Sequence, residues 1–203
     1  MHAVVPFSAD RPKTRLADVL TPAERREFSA AMLRDVLDAL AAVPQELDVT
    51  VLATGEVDVD VPVETDERSL TPAVNDRLDT APTAVVMADL ALATPAALAD
   101  LLDSTADLAI AAGLGGGTNA FLARDTAFRV DYHGASYRDH LAIAREEGLS
   151  VREVDSRLVA VDIDEPEDLA ELLLHGGGAA RDWLVDAGFE LAIDGGRVDV
   201  VRE

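Results

Sequence analysis

The sequence contains no cysteine and only one lysine, Lys13, among its 17 basic residues. Without cysteine the chain cannot form a disulfide bond, a thiolate metal site or a cysteine nucleophile. Aromatic residues are also scarce, at 4%, while apolar residues as a whole make up 49%. The core therefore has to be aliphatic and rich in alanine. At 203 residues, the chain is long enough for one sizeable α/β domain.

Positive charge is the next deficit. The chain has 39 acidic residues, a formal net charge of −22 and a pI of about 4.3. This balance argues against nucleic-acid binding, which needs a basic surface. The apolar content is too high for a disordered chain. A dispersed acidic charge with almost no lysine is typical of a protein from a high-salt cytoplasm.

Targeting and membrane-spanning patterns are missing as well. The first residues do not combine a basic region with an apolar stretch, and no run of about 18 apolar residues occurs. We therefore expect a soluble, cytoplasmic protein with no membrane partner.

Short apolar runs alternate with helical patterns along most of the chain. This alternation predicts an α/β fold, a three-layer α/β/α arrangement around a mostly parallel, mixed sheet. Strands are expected at residues 3–5, 47–53, 57–63, 84–88, 107–112, 151–154 and 158–163, and helices at 21–43, 71–78, 94–102, 136–147, 166–174 and 179–187. Residues 1–203 are expected to form one domain, with residues 176–203 as a small C-terminal appendage that ends in a hairpin turning at Asp194, Gly195 and Gly196.

The loop after the first strand holds Arg11, Lys13 and Arg15. Such a loop in an α/β protein is suited to binding a polyphosphate, with the lysine as a point charge and the arginines as bidentate donors. The alternative is a solvated basic loop on an acidic protein.

Three aspartates follow predicted strands. Asp89 ends the most apolar strand, and Asp162 and Asp164 lie two residues apart at the end of another, so that both would project to one side. Ligands of open α/β sheets bind at such strand ends, and Mg²⁺ prefers one or two carboxylates together with substrate phosphates. Singly, each aspartate could be a turn or a helix cap. Together with Lys13, they favour a metal–phosphate site.

Residues 113–119 are rich in glycine but match neither a dinucleotide fingerprint nor a Walker loop. Their backbone N–H groups could still approach an anion, with the Thr118 hydroxyl and the Asn119 amide as further donors. A plain glycine turn is the alternative.

His133 and Gly134 precede a predicted helix whose N-terminus would also favour an anion. Ser136 has the simpler interpretation of an ordinary N-cap, with Asp139 completing a capping box. His140 and His175 have no metal-spaced partner and are expected at the surface. No serine lies in a nucleophile elbow, so a Ser/His/Asp triad is not supported.

Together these motifs resemble the archaeal 2-phospho-L-lactate guanylyltransferases, the CofC family, which are relatives of the GT-A-type nucleotidyltransferases. The matching stretches, in family order, are Val-Val-Pro-Phe (4–7), Lys-Thr-Arg-Leu (13–16), Met-Ala-Asp-Leu (87–90), Gly-Gly-Gly-Thr-Asn-Ala (115–120), Tyr-His-Gly-Ala-Ser (132–136) with His-Leu (140–141), and Asp-Ile-Asp-Glu-Pro-Glu-Asp-Leu (162–169).

The resemblance implies transfer of GMP from GTP to 2-phospho-L-lactate, with release of pyrophosphate, in coenzyme F-420 biosynthesis by a homodimer. It implies Mg²⁺ at Asp89, Asp162 and Asp164, and catalytic contacts from Lys13 and Arg15 to the GTP phosphates. Further contacts implied are a nucleotide side at Pro6, Phe7 and Asn75, and an acceptor side at Thr118, Asn119, His133, Gly134 and Ser136.

Two positions depart from the family pattern. Ala91 stands where proline often follows Asp-Leu, and Tyr-His-Gly-Ala-Ser replaces a form that contains Gly-Pro. The second change leaves the acceptor open, and phosphoenolpyruvate and 3-phosphoglycerate are the acceptors of related enzymes. A sugar-1-phosphate or molybdopterin nucleotidyltransferase and a non-catalytic nucleotide-binding module are alternatives on the same architecture.

Overall fold

A seven-stranded sheet forms the centre of the protein in the computed structural model, which describes residues 1–194 and 197–202. Its strands are β1 (His2–Phe7), β2 (Asp48–Ala53), β3 (Val63–Thr65), β4 (Thr83–Val86), β5 (Leu108–Ala112), β6 (Thr118–Ala123) and β7 (Val151–Glu153). Their order across the sheet is β3-β2-β1-β4-β6-β5-β7. All neighbouring pairs are parallel except those of β6, which runs antiparallel to β4 and β5.

Helices cover both faces of this sheet. The α-helices of the described residues are α1 (Pro22–Ala41), α2 (Leu70–Asn75), α3 (Pro95–Leu102), α4 (Ser136–Glu146), α5 (Arg157–Ala160), α6 (Asp168–His175) and α7 (Ala179–Asp186). Residues of α1, α3 and α5 share one buried cluster with the sheet, and residues of α2 and α4 share another. The predicted three-layer α/β/α arrangement with a mostly parallel, mixed sheet is therefore confirmed.

Each central strand contributes alternate residues to the two clusters. In β1, Ala3 and Val5 join the cluster under α1, while Val4 joins the cluster under α2. The period of two residues along a strand produces this division. Since both faces are apolar, the strands read as uninterrupted hydrophobic runs, as is usual in sheets covered on both sides.

The long helix α1 begins as its sequence predicts. The Thr21 side chain accepts from Glu24 N at 3.3 Å, and Glu24 Oε2 accepts from Thr21 N at 2.8 Å. This capping box, with Pro22 at the first helical position, satisfies N–H groups that have no partner within the helix.

The strand predicted at 158–163 is wrong. Residues Arg157–Ala160 form the one-turn helix α5, and 161–164 continue as a loop. The carbonyls of Val159 and Ala160 accept from the Asn119 side chain instead of a strand partner. Strand β6 was not predicted, since the glycine loop before it masked its apolar run. The extended piece expected at 57–63 occurs only as β3, from Val63 onward.

The C-terminal segment packs onto α1. Both Asp35 carboxylate oxygens accept from the first N–H groups of α7, Ala179 N at 2.6 Å and Ala180 N at 2.9 Å. The rings of Phe28 and Trp183 lie 5.3 Å apart. A hairpin follows, formed by β8 (Phe189–Asp194) and β9 (Arg197–Arg202), as predicted. The turn glycines of that prediction, Gly195 and Gly196, fall outside the described residues.

Within residues 1–194 and 197–202, no helix combines the length and the apolar character that crossing a membrane requires.

Candidate active site

A cavity of about 450 Å³ opens beyond the carboxyl ends of β1 and β4. Pro6 and Phe7 from the end of β1 line it, and so do Lys13, Asp89 and Asp164. Ligands of open α/β sheets occupy this position in the fold. Five of the sequence-predicted site residues thus line one cavity, and two of them, Asp89 and Asp164, are predicted metal ligands.

Lys13 lies between two carboxylates. Its Nζ is 2.7 Å from Asp89 Oδ2 and 3.3 Å from Asp164 Oδ1, and its side chain is only 9% exposed. Burial alone would lower the pKa of Lys13, but the two carboxylates outweigh it and raise the pKa above the ordinary lysine value. The single lysine of the chain is therefore held as a buried, charged ammonium group.

The backbone at Lys13 is strained. Its φ of 52° makes it the one non-glycine residue with a positive φ in the described part of the chain. A side chain in this left-handed region costs free energy. Strain of this kind persists where the surroundings impose it, and it clusters at functional sites. The Asp89 and Asp164 contacts supply that constraint here.

Asp89 and Asp162 have the character expected of metal ligands. Asp89 Oδ1 is buried and has no hydrogen-bond partner among the described residues. Burial raises the pKa of Asp162, and the nearby Asp89 carboxylate raises it further. Two carboxylates that repel each other, one with an unpaired buried oxygen, fit a Mg²⁺ ion that takes its other ligands from phosphates and water.

Asp164, the third predicted metal ligand, pairs with two basic side chains in this structure. It accepts from Lys13 and, through Oδ2, from Arg15 Nη1 at 2.7 Å. Across the described ranges, no three acidic or histidine residues form a group able to hold a metal ion by themselves. The geometry therefore fits a site with two aspartates, while Asp164 orients the basic side chains.

Asn119 connects the glycine loop to this acidic pair. Its amide nitrogen donates to Val159 O at 2.9 Å, to Ala160 O at 3.1 Å and to Asp162 Oδ1 at 3.2 Å. Gly113 makes room for it, because a Cβ there would lie 2.4 Å from Asn119 Oδ1. The substrate contact predicted for Asn119 stays a prediction, and in this structure the amide also donates to Asp162.

Thr118 and His140 form a buried pair. Thr118 Oγ1 lies 2.8 Å from His140 Nδ1, and the histidine is fully buried. The prediction that His140 lies at the surface is wrong. Ser136, His140 and Ala144 form the buried stripe of α4 at intervals of four residues, and the two polar members hid that stripe in the sequence.

The start of α4 lies against the glycine loop, where Gly116 O accepts from Tyr137 N at 3.3 Å. Ser136 is buried in the first turn, but it does not cap the helix, since Ala135 is the N-cap residue and no side-chain cap bond forms. His133 is exposed and pairs with Asp131 at 3.0 Å. Gly134 has a φ of 50°.

Asn75 does not line the cavity. Its amide donates to Val130 O at 3.0 Å and accepts from Val130 N at 2.8 Å, so it joins α2 to the segment before α4.

Sequence reasoning missed Asp66, Arg68 and Ser69, which line the cavity in the loop before α2. Hydrogen bonds from the Arg68 side chain and backbone lower the pKa of Asp66 to about 2. No motif marks these residues, and only their position one loop beyond β3 indicates a role.

Comparisons with known proteins identify the family. The profile of the family described as "Guanylyl transferase CofC like" matches residues 1–202. A 2-phospho-L-lactate guanylyltransferase from Haloarcula marismortui is 56% identical over 208 residues, which cover 100% of this chain and 99% of the relative. One from Haloferax volcanii is 57% identical over 206 residues, with 100% and 99% covered.

Solved structures share the fold at much lower identity. A Desulfovibrio desulfuricans G20 protein assigned as a nucleotide-diphospho-sugar transferase superimposes with a TM-score of 0.68 at 16% identity, covering 91% of this chain and 94% of that one. The fold thus occurs in proteins of low sequence identity, whereas the family profile and the identities above single out one family. The chain belongs to the CofC-like guanylyl transferase family.

Proposed function

We propose that the protein transfers GMP from GTP to 2-phospho-L-lactate, giving lactyl-2-diphospho-5′-guanosine and pyrophosphate. Family membership and the names of relatives at 56% and 57% identity support this assignment. The observation that carries it on this chain is the charged Lys13, which lines the cavity and lies buried between Asp89 and Asp164. A triphosphate is the kind of ligand that such a cation would neutralise.

The reaction needs no covalent enzyme intermediate. An anionic phosphate oxygen of the acceptor attacks the α-phosphorus of GTP in line and forms the new P–O–P bond. The bond between the α-phosphorus and the bridging oxygen breaks, and its electron pair leaves with pyrophosphate. Catalysis then consists of positioning the two anions and stabilising the charge on the leaving group.

Lys13 would stabilise the charge on the leaving pyrophosphate. Its ammonium group is already desolvated and fixed by two carboxylates, so little reorganisation is needed when negative charge develops nearby. Arg15 donates to Asp164 from a side chain that is 66% exposed. It can therefore turn toward a phosphate without leaving a buried site.

Mg²⁺ is part of the proposal, with Asp89 and Asp162 as its protein ligands. When bound, it would neutralise charge on the triphosphate and on the leaving group. Hydrogen bonds hold the two aspartates in place: Asn119 donates to Asp162, and the backbone Asp89 O accepts from Ile163 N at 3.1 Å.

The two substrates would approach from different sides of this pair. Pro6 and Phe7 offer an apolar wall to the nucleoside, and Asp66, Arg68 and Ser69 offer hydrogen-bonding groups to the base. The acceptor would lie toward Thr118 and the start of α4, where the helix N-terminus favours an anion. A homodimer and a cytoplasmic location also belong to the proposal.

Release of pyrophosphate tests the function in one assay. GTP and Mg²⁺ are incubated with 2-phospho-L-lactate, phosphoenolpyruvate, 3-phosphoglycerate or no acceptor, and ATP and CTP replace GTP in parallel samples. We expect the fastest release with GTP and 2-phospho-L-lactate. A faster reaction with another acceptor would reassign the substrate, and no release with any acceptor would favour a nucleotide-binding module.

A further inference from the structure

A buried chain of hydrogen bonds leads from the backbone of the segment before α4 to the glycine loop. Asp131 N–H donates to His140 Nε2 at 2.9 Å, and His140 Nδ1 lies 2.8 Å from Thr118 Oγ1. Thr118 is 4% exposed and His140 is fully buried. The rings of Phe128 and Tyr132 pack edge-on against the imidazole.

These contacts fix the proton positions on the imidazole. A backbone N–H can only donate, so Nε2 must carry a lone pair and no proton. A neutral imidazole then carries its proton on Nδ1, which donates to Thr118 Oγ1. Burial lowers the pKa of His140 to about 4, in agreement with a neutral ring at physiological pH.

The proton of the Thr118 hydroxyl must therefore point away from His140. Its oxygen already accepts from His140, and within the described residues no other group makes a hydrogen bond to Oγ1. In the glycine loop that precedes Thr118, a Cβ built on Gly115 or Gly117 would meet no atom within 4 Å, so this loop borders open space. The adjacent residue, Asn119, holds Asp162.

We propose that His140 is a positioning residue for the acceptor substrate. In its Nδ1–H tautomer it turns the Thr118 hydroxyl so that the proton of this group points at an anionic oxygen of the phosphorylated acid. This inference rests on the proposed function for the identity of the acceptor. The tautomer itself follows from the geometry and does not depend on that function.

Nitrogen-15 NMR of the imidazole tests the tautomer on the intact protein, whether or not it is active. With four histidines in the chain, the His140→Gln variant assigns the resonances. We expect the shifts and couplings of a neutral ring protonated at Nδ1 near pH 7. A ring protonated at Nε2, or at both nitrogens, would overturn the inference.

Steady-state kinetics test the role. Thr118→Val removes the hydroxyl at nearly constant volume and should raise the KM for 2-phospho-L-lactate about 10- to 100-fold, the effect of losing a hydrogen bond to a charged group. The KM for GTP should stay within about twofold, because the effect of a lost hydrogen bond is local. Thr118→Ser keeps the hydroxyl and should restore most of the acceptor affinity.

Two replacements of His140 separate its two bonds. An asparagine amide can occupy the place of Nδ1 and still donate to Thr118, whereas a glutamine amide reaches the place of Nε2 and contacts only Asp131. His140→Asn should therefore retain a lower acceptor KM than His140→Gln. In the Thr118→Val background, His140→Gln should add little, since both changes remove the same bond.

Equal acceptor KM values for the asparagine and glutamine variants, or additive effects of Thr118→Val and His140→Gln, would contradict a relay through Thr118. An acceptor KM in Thr118→Val equal to that of the wild type would do the same. If the wild-type protein releases no pyrophosphate, the proposed function fails, while the NMR result still decides the tautomer.

Discussion

Replacing Lys13 with methionine removes the charge of the only lysine while keeping most of its length. At an effective dielectric constant of about 20, the contacts of Lys13 at 2.7 Å and 3.3 Å correspond to attractions of about 6 and 5 kcal/mol. Desolvation of the ions offsets much of this, and breaking a buried ion pair costs about 3–5 kcal/mol. Because both aspartates are more than a quarter exposed, we expect the free energy of unfolding to fall by about 3 kcal/mol, near the lower end of that range.

For a domain of this size, a loss of that magnitude lowers Tm by about 6–12 °C. Turnover should fall further than stability, because the proposed mechanism assigns Lys13 to the leaving pyrophosphate, and removing one preorganised electrostatic contact costs about 10²–10³ in kcat. Calorimetry and the pyrophosphate assay measure the two effects. Assays well below the variant's Tm separate lost catalysis from lost folding.

Arg145→Met is the matched control. Arg145 is exposed in α4, and its replacement removes one positive charge without touching the cavity. We expect a stability change of at most about 0.5 kcal/mol and unchanged kcat. A folded Lys13→Met protein with a kcat within threefold of the wild type would refute the role assigned to Lys13.

Three further outcomes are expected. Folding lowers the pKa of His140 from 6.5 to about 4, so on acidification the imidazole of the unfolded chain is protonated before that of the folded chain. The free energy of unfolding of the wild type, relative to that of His140→Gln, should therefore fall by on the order of 2 kcal/mol as the pH drops from 6.5 to 4. A constant difference in the free energy of unfolding would contradict a buried neutral ring. Gly113→Ala should displace Asn119, whose Oδ1 would lie 2.4 Å from the new Cβ. The free energy of unfolding should fall by about 1–3 kcal/mol, and kcat should fall because Asp162 loses its hydrogen bond from Asn119. Gly177→Ala, with no atom within 4 Å of its Cβ, is the control, and equal Tm values for the two variants would count against the contact. Tm should rise as NaCl is raised from 0.1 to 1 M, since the Debye length shrinks from about 10 to 3 Å and screens a net charge of −22; a flat response would exclude carboxylate repulsion as a major factor.

The sequence was most informative where side-chain pattern and backbone geometry agree. The apolar runs of the central strands predicted their burial, and Thr21, Pro22 and Glu24 predicted the start of α1. Lys13 stood out by composition alone as the single lysine, and in the structure it is buried and paired with two aspartates.

The sequence failed where long-range contacts decide the local structure. Residues 158–163 have the pattern of a strand, but Asn119, about 40 positions earlier, binds the carbonyls of Val159 and Ala160 and leaves a helical turn. His140 looks like a surface residue until Thr118 and Asp131 are placed beside it. Asp66 and Arg68 reach the cavity only through the fold of the sheet.

Phosphorus-31 NMR of a stoichiometric mixture of protein, GTP, Mg²⁺ and 2-phospho-L-lactate tests the central claim most directly. The account predicts that the α-phosphorus of GTP and the phosphorus of the acceptor become coupled partners in one diphosphate, while an equal amount of pyrophosphate appears. A spectrum in which GTP and the acceptor persist unchanged, or in which GTP loses phosphate without forming that diphosphate, would contradict it.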